Sequence, residues 1–313
     1  MHTNIESNRP AFAVLSDETL IIISGEDAIT FLQGQLTSDV AALKEGEPQL
    51  SGYCNVKGRL YATFILIKEG ATIRMIISAD IAEIVRKRLS MFVMRAKVKL
   101  ELAPQCKLFG LTTGLSVDNT NLKGINAITL LSPAAALERY LVVADANDAT
   151  AATLSANGFV EMSLAQWRQR ELQAGITRVS AALSEQFVPQ MLNFELLGGV
   201  SFTKGCYPGQ EIVARSQYLG KMKRRTFLFQ IDGATDELKL GQDVISLSAD
   251  SIESRVEGQV VGFGADFALV ETSTETFAQV QSQGVKLSAG GVHLNAVTQP
   301  YELPVHEPVK RVL

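Results

Sequence analysis

The densest run of chemically capable residues is Phe202-Thr203-Lys204-Gly205-Cys206-Tyr207-Pro208-Gly209-Gln210-Glu211. Two glycines bracket a cysteine, and Pro208 suits the first position of a helix, where its missing N–H costs nothing. The spacing predicts a helix start just beyond Cys206, with Lys204 nearby. A helix N-terminus and an ammonium both favour the thiolate, which is the nucleophilic and metal-binding form of cysteine. Glu211 and Arg215 then stand at i, i+4 in the favourable order. The competing reading of Cys206 is a small buried hydrophobe, the usual lot of an unpaired cysteine.

Other chemistries fail on residue type or spacing. The only histidines are His2, His293 and His306, so a Cys–His dyad would have to reach Cys206 from a terminal region. No HExxH, CxxC or P-loop pattern occurs, and Gly262-Phe263-Gly264 lacks the third glycine of a dinucleotide fingerprint. One motif cysteine cannot hold an iron–sulfur cluster unaided, because clusters need several thiolates. The run Lys221, Lys223, Arg224, Arg225 reads either as a solvated linker or as an anion site. Trp167, the single tryptophan, reads as core.

The elements that must position these residues follow from the bulk numbers and the patterning. The 313 residues are too many for one small core. A net charge of -4 gives no global pull toward nucleic acid, so direct contact with RNA would need a local basic patch. No apolar run is long enough to cross a bilayer, and Met1 to Pro10 lacks the apolar stretch of a signal peptide. Three well-separated cysteines, Cys54, Cys106 and Cys206, suggest thiols in a reducing compartment, by default the cytoplasm.

Along the chain, Ala11 to Leu15 and Leu20 to Ser24 read as paired strands. Ser24 with Asp27 reads as the capping box of a helix carrying Ile29, Phe31, Leu32 and Leu36. Leu60 to Ile67 and Thr72 to Ser78 flank a Glu69-Gly70 turn. A helix from about Ile81 to Met94 turns Ile81, Ile84, Val85, Leu89 and Phe92 inward, and the strand Lys97 to Leu102 follows. Further helices are expected over Asp145 to Gly158 and Leu164 to Ala174, the second stopped by Gly175. From Thr226 onward, short alternating strands (Thr226 to Ile231, Gln259 to Gly264, Phe267 to Glu271) predict a small antiparallel barrel. The fold class is α+β, with a core over 1–225 of two interleaved subdomains and a C-terminal β-barrel domain over 226–313.

The octapeptide Lys204-Gly205-Cys206-Tyr207-Pro208-Gly209-Gln210-Glu211 resembles the hallmark of the YgfZ family of folate-binding proteins, kin to the glycine-cleavage T-protein. The likeness extends to Gln33-Gly34-Gln35-Leu36-Thr37-Ser38-Asp39-Val40 and to Asn55-Val56-Lys57-Gly58-Arg59. It also covers Gln186 to Asn193 and Leu197 to Phe202, and so runs over most of residues 20 to 225. The resemblance implies a T-protein-like fold around a central channel with tetrahydrofolate as cofactor. It further implies a role in assembling or maintaining iron–sulfur enzymes, some of which modify tRNA by methylthiolation. Folate and iron–sulfur enzymes or cluster-assembly proteins are then the implied partners. Gln173 stands where the family usually shows Glu, beside the pterin; it offers a carbonyl acceptor and an amide donor without charge. Lys221, Arg224 and Arg225 would then meet the folate polyglutamate tail or a tRNA phosphate. T-proteins carry a catalytic Asp on the strand after Lys57-Gly58, whereas Arg59 to Ile67 contains no carboxylate. That difference argues against a true aminomethyltransferase, the alternative function, and leaves the Cys206 thiol as the reactive group.

Overall fold

The computed structural model describes residues 9–112, 127–130, 139–144, 149–218, 222–247 and 255–304. Its first elements are β1 (Ala11–Val14), β2 (Glu18–Ser24), α1 (Ala28–Gln33), β3 (Pro48–Cys54), β4 (Leu60–Glu69), β5 (Thr72–Ser78) and α2 (Ala79–Ser90). Next come β6 (Lys99–Leu102), β7 (Lys107–Thr112), β8 (Ala127–Leu130), β9 (Arg139–Ala144), α3 (Thr150–Ala156), β10 (Val160–Glu161) and α4 (Leu164–Gln173). The chain continues through α5 (Gln210–Tyr218), β11 (Arg224–Asp232), β12 (Asp243–Leu247), β13 (Arg255–Phe263) and β14 (Phe267–Ser273). It closes with α6 (Thr274–Gln283), β15 (Lys286–Ala289) and β16 (Val292–Ala296). The strands form two five-stranded sheets, β10-β1-β7-β9-β8 and β3-β4-β5-β2-β6, and a closed barrel, β11-β14-β13-β12-β15-β16. The fold is therefore α+β with a C-terminal antiparallel barrel.

Several local expectations need correction. β1 and β2 are not a hairpin: β1 pairs with β7 and β10, whereas β2 pairs with β5 and β6. Ala11, Phe12 and Ala13 are all buried, so β1 is a two-faced core strand rather than the edge of a hairpin. Ser24 ends β2, and the α1 helix begins after Asp27, whose side chain accepts from Lys97 N at 2.8 Å instead of capping the helix. Helix α2 stops at Ser90; Ile84 and Phe92, expected inward, are about half exposed, while Ile81, Val85 and Leu89 are buried. The α3 helix starts at Thr150, and the Asp145 cap lies outside the described residues. The β4–β5 hairpin and α4 stand as read, the latter closed at its start by a full capping box of Ser163 and Gln166.

Three apolar clusters place the site. One lies between the β3–β6 sheet and helices α1 and α2, with Leu32, Leu66, Met75 and Val85 fully buried. A second joins the two sheets through Leu20, Ile76, Leu108 and the buried Trp167, so the tryptophan is core. The third, with Cys54, Leu60, Leu172, Phe187, Leu192, Leu228 and Val261, is where sheet, α4, the connector and barrel meet. Burying a large aliphatic side chain stabilises by about 1.5–3 kcal/mol, so this cluster ties the barrel firmly to the rest.

Candidate functional site

The loop bearing Cys206 is held from both sides. Lys204 is buried, and its ammonium donates to Leu36 O at 2.6 Å and Ser38 O at 2.8 Å. Burial lowers its pKa to about 8, with Asp39 pulling the other way. The same N-terminal stretch is fastened again by Thr37, whose hydroxyl donates to Gly199 O at 2.6 Å and accepts from Gly52 N at 2.8 Å. Ser201 N donates to Thr37 O at 2.9 Å. The segment Gln35 to Asp39 is thus a clamp on the approach to the cysteine. Lys204 serves the clamp and not the thiol, which corrects the expectation that its charge attends Cys206.

The other side is a backbone-to-backbone contact. Asn55 to Arg59 forms the β3–β4 turn, in which the Asn55 side-chain oxygen accepts from Lys57 N at 2.9 Å and Arg59 N at 3.0 Å. Gly209 sits at φ +80°, and a β-carbon there would lie 2.3 Å from Asn55 O and 2.6 Å from Gly58 Cα. Gly58, at φ +70°, presses in turn on Ile212. Only glycine at both places lets the turn and the loop touch.

Between these holds, Cys206 is exposed, whereas Cys54 is buried and Cys106 half-buried. Burial pushes the Cys54 thiol far above its ordinary range. Helix α5 begins at Gln210 and not at Pro208, so Cys206 stands four residues ahead of it. Glu211 and Arg215 pair at 3.0 Å as expected. Among the described residues no group of three His, Cys, Asp or Glu side chains is placed to hold a metal.

Tyr207 points the other way from Cys206, into the protein. Its ring is buried and lies 5.3 Å from the Lys204 ammonium. Its hydroxyl finds no hydrogen-bond partner among the described residues, and burial, with Cys54 nearby, raises its pKa. Gln190, fully buried beneath α5, donates to Val213 O at 2.7 Å but leaves its Oε1 unpartnered. Gln173, the last residue of α4, is half-buried next to Leu172 of the central cluster, and no side-chain hydrogen bond ties it to another described residue. Sequence reasoning named Tyr207 only as part of a motif and missed Gln190; no spacing rule marks either.

The basic run is mostly spent within the protein. Arg225 is 2% exposed, paired with Glu195 at 2.8 Å and bonded to Asn193 Oδ1 at 2.9 Å. Arg224 makes a two-pronged bond to Glu271, both contacts 2.7 Å. Arg225 is therefore not offered to a phosphate or a polyglutamate tail, whereas Arg224 is engaged by Glu271 but keeps part of its side chain exposed. Lys223 is exposed, and Lys221 lies outside the described residues.

A separate polar cluster lies at the junction of α4 with the two sheets. Arg168 bonds Asp17, Glu18 at 3.2 Å and Glu171 at 2.5 Å; Arg178 bonds Asp17 at 3.0 Å and Glu18 at 2.9 Å. Burial alone would raise Glu171, but Arg168, Arg178 and Arg139 together hold it below the usual carboxylate range. A cavity of about 440 Å³ adjoins this cluster, lined by Asp17, Ser78, Arg168, Arg178, Leu172 and Phe263 among others. Neither Gln173 nor Cys206 lines it.

The backbone as a whole superposes on glycine cleavage system aminomethyltransferase T from Bartonella henselae with a TM-score of 0.69. The match covers 93% of this chain and 86% of that one at 14% identity, and establishes the T-protein-like fold alone. No family model matches the chain. In sequence it is 32% identical over 226 residues to "tRNA-modifying protein YgfZ" of Yersinia pestis (strain Pestoides F), covering 68% of each chain. A relative of the same name from Yersinia pseudotuberculosis serotype O:1b (strain IP 31758) is 31% identical over the same span. The chain belongs to the YgfZ family. Within that family frame, the clamp, the turn and the cysteine loop meet in one corner of the molecule, although 168 residues separate Leu36 from Lys204.

Proposed function

We propose that this YgfZ-family chain binds tetrahydrofolate or a related reduced folate where the two sheets, α4 and the barrel meet. We further propose that it sustains iron–sulfur enzymes that modify tRNA, acting in the cytoplasm through the Cys206 thiol. The observation that carries the reading is an exposed cysteine with inward polar atoms beside it, Tyr207 on the same loop and Gln190 on the 189–192 turn beneath α5. Tyr207 Oη and Gln190 Oε1 are buried without described partners. A buried polar atom left unmatched costs about 1–3 kcal/mol, a cost that a ligand able to donate and accept would remove. A pterin has such an edge. Gln190 and Tyr207 are the residues whose open atoms would meet it, and Gln173, next to Leu172 of the central cluster, is the position that the family resemblance assigns to the pterin. Bound there, the folate would supply a carrier for one-carbon groups.

The relatives' name supports tRNA modification as the process served. The alternative, aminomethyl transfer of the T-protein kind, lacks an acid: the segment from Arg59 to Ile67 has none, and Thr63 on β4 instead accepts from Val179 N at 2.9 Å. Reconstituted glycine cleavage should accordingly show no turnover with this chain.

The deciding experiment pairs titration calorimetry with complementation. Tetrahydrofolate should release heat on binding, Gln173→Glu should tighten it through charge assistance, and Cys206→Ser should leave it unchanged. In a strain lacking the gene, Cys206→Ser should fail to restore tRNA methylthiolation while melting within a degree or two of the wild type, since an exposed one-atom change costs little. No heat at millimolar folate would remove the cofactor half. Full restoration by Cys206→Ser would remove the thiol half.

A further inference from the structure

Past the Cys206 loop runs a surface whose apolar residues no other described element covers. Val56 is 80% exposed, Ile84 51%, Met91 67%, Phe92 50% and Met94 89%. Scattered single hydrophobes mean little, but a contiguous group marks an interaction site. Continuity here rests on contacts. The Cys206 loop touches the β3–β4 turn through Gly209 and Asn55, and Asn55 donates to Glu185 at 3.0 Å. Glu185 meets Arg88 at 3.8 Å, and Arg88 donates to the Tyr61 hydroxyl at 2.8 Å while lying 4.1 Å over its ring. Ile84 on α2 and Met91, the C-cap just past its end, stand one turn before and after Arg88, so they share its face. Met94, just beyond, holds φ at +41°, a left-handed conformation that is uncommon outside glycine and costs backbone energy. Such strain persists where surroundings impose it and gathers at binding surfaces.

We propose that this face, from Cys206 across Val56 and Arg88 to Met91, Phe92 and Met94, docks a folded protein partner that presents an apolar ridge flanked by carboxylates. The charge on the face selects that partner. In sequence Lys57 and Arg59 follow Val56, and Arg88 and Arg95 stand among Ile84, Met91 and Met94. Glu83 is answered by Arg86 and Lys87 and Glu185 by Arg88, so the face is positive on a chain whose net charge is -4. A second copy would bring the same cations against themselves. Bare RNA would match the cations and leave the thioethers and Val56 without apolar contact. Methionine side chains, unbranched and polarizable, adapt to varied apolar partners, which suits a protein serving several clients. The identity of the partner rests on the iron–sulfur reading above; the surface itself does not.

The probe is a purified iron–sulfur tRNA methylthiotransferase, its binding to the full-length protein followed by sedimentation velocity at low and high salt. One variant combines Met91→Ser with Phe92→Ser; a second combines Lys57→Glu with Arg95→Glu. Each should weaken binding by about tenfold and lower methylthiolation in the deletion strain, with melting temperature and tetrahydrofolate binding unchanged. The wild-type affinity should fall as salt rises. Undiminished binding and methylthiolation in both variants would overturn the docking face and leave the iron–sulfur reading standing. A wild type that neither binds this enzyme nor restores methylthiolation would overturn both. Loss of free tRNA binding in the variants, with enzyme binding intact, would make the face an RNA surface, and a dimer reduced to monomer would make it a contact between copies.

Discussion

The arginine–carboxylate junction and the Cys206 corner are both polar regions at the meeting of several elements, but their polar groups end differently. At the junction every carboxylate named, Asp17, Glu18 and Glu171, is held by Arg168, Arg178 or both. Arg139, 2% exposed, adds a longer contact to Glu171 at 3.8 Å and lies 6.0 Å from the Trp167 ring centroid. The charges there neutralise one another and join α4 to both sheets. In the Cys206 corner the Lys204 ammonium is spent on two carbonyls, and neutral atoms of Gln35, Gln190, Tyr207 and Gln217 stay unpartnered among the described residues. Both regions keep some buried atoms unpartnered among the described residues, Arg139 Nε, Trp167 Nε1 and the Gln169 amide at the junction included. What separates them is that the junction is held by ion pairs and the corner by hydrogen bonds to neutral groups.

The largest effect should come from the scaffold. Arg168→Ala removes the guanidinium shared by three carboxylates, leaving Asp17 and Glu18 to Arg178 and the buried Glu171 to the longer Arg139 contact alone. Breaking a buried pair in this way costs about 3–5 kcal/mol, and urea unfolding should show a midpoint lowered accordingly. Arg168→Lys keeps the charge without the fork and should lose less. If Arg168→Ala were neutral, the junction would not be the stabilising element and the contrast would fail.

Next in size is the glycine contact of the Cys206 corner. Gly209→Ala forces a left-handed residue and a 2.3 Å approach to Asn55 O, for a loss of roughly 2–3 kcal/mol. Gly58→Ala meets Ile212 at 3.0 Å and should cost about 1 kcal/mol, most of it backbone strain. Alkylation sharpens the same comparison: native Cys206 should react first, Cys106 more slowly, and buried Cys54 only on unfolding.

What could be read without coordinates divides along similar lines. The β4–β5 hairpin, α4 and the barrel strands announce themselves because alternation, caps and turn glycines are local signals. The β1–β2 separation is not local: β1 finds its partners at Phe109 to Thr112 and Val160 to Glu161, which no window around residue 15 contains. Helix α2 misled for another reason. Its apolar residues at Ile84 and Phe92 follow helical spacing but answer to the outer surface, so periodicity alone assigned them inward. In the corner, the motif named Lys204 beside Cys206 but could not show where its ammonium goes. The lysine turns inward because Leu36 and Ser38 present carbonyls there. Arg224 and Arg225 look like a free basic run only until Glu271 and Glu195, far apart in sequence, are brought beside them.

The smallest expected effect tests that inward lysine by pH. The folded pKa of Lys204, about 8, lies below its ordinary 10.5 because burial disfavours the ammonium. Between these values the unfolded chain binds more protons than the folded one, so stability from this group rises with pH through that window. The penalty is fully present below pH 8 and is relieved as the amine loses its proton, after which two N–H groups remain for the Leu36 and Ser38 carbonyls. Above pH 10 the sign reverses, since Tyr53 and Tyr301, raised by burial to about 12, resist an ionisation that the unfolded chain undergoes freely. Between pH 8 and 10 Cys54 works the other way, since burial keeps its folded thiol protonated while the unfolded thiol ionises near its ordinary 9.0. The wild-type trend is therefore the difference of two opposing slopes, and the comparison isolates Lys204. Urea midpoints of Lys204→Met, which fills the space without a titrating group, should fall with pH relative to the wild type across this interval. The arginine–carboxylate junction is common to both proteins, so a slope of equal size in both would mean that the Lys204 clamp is not its source.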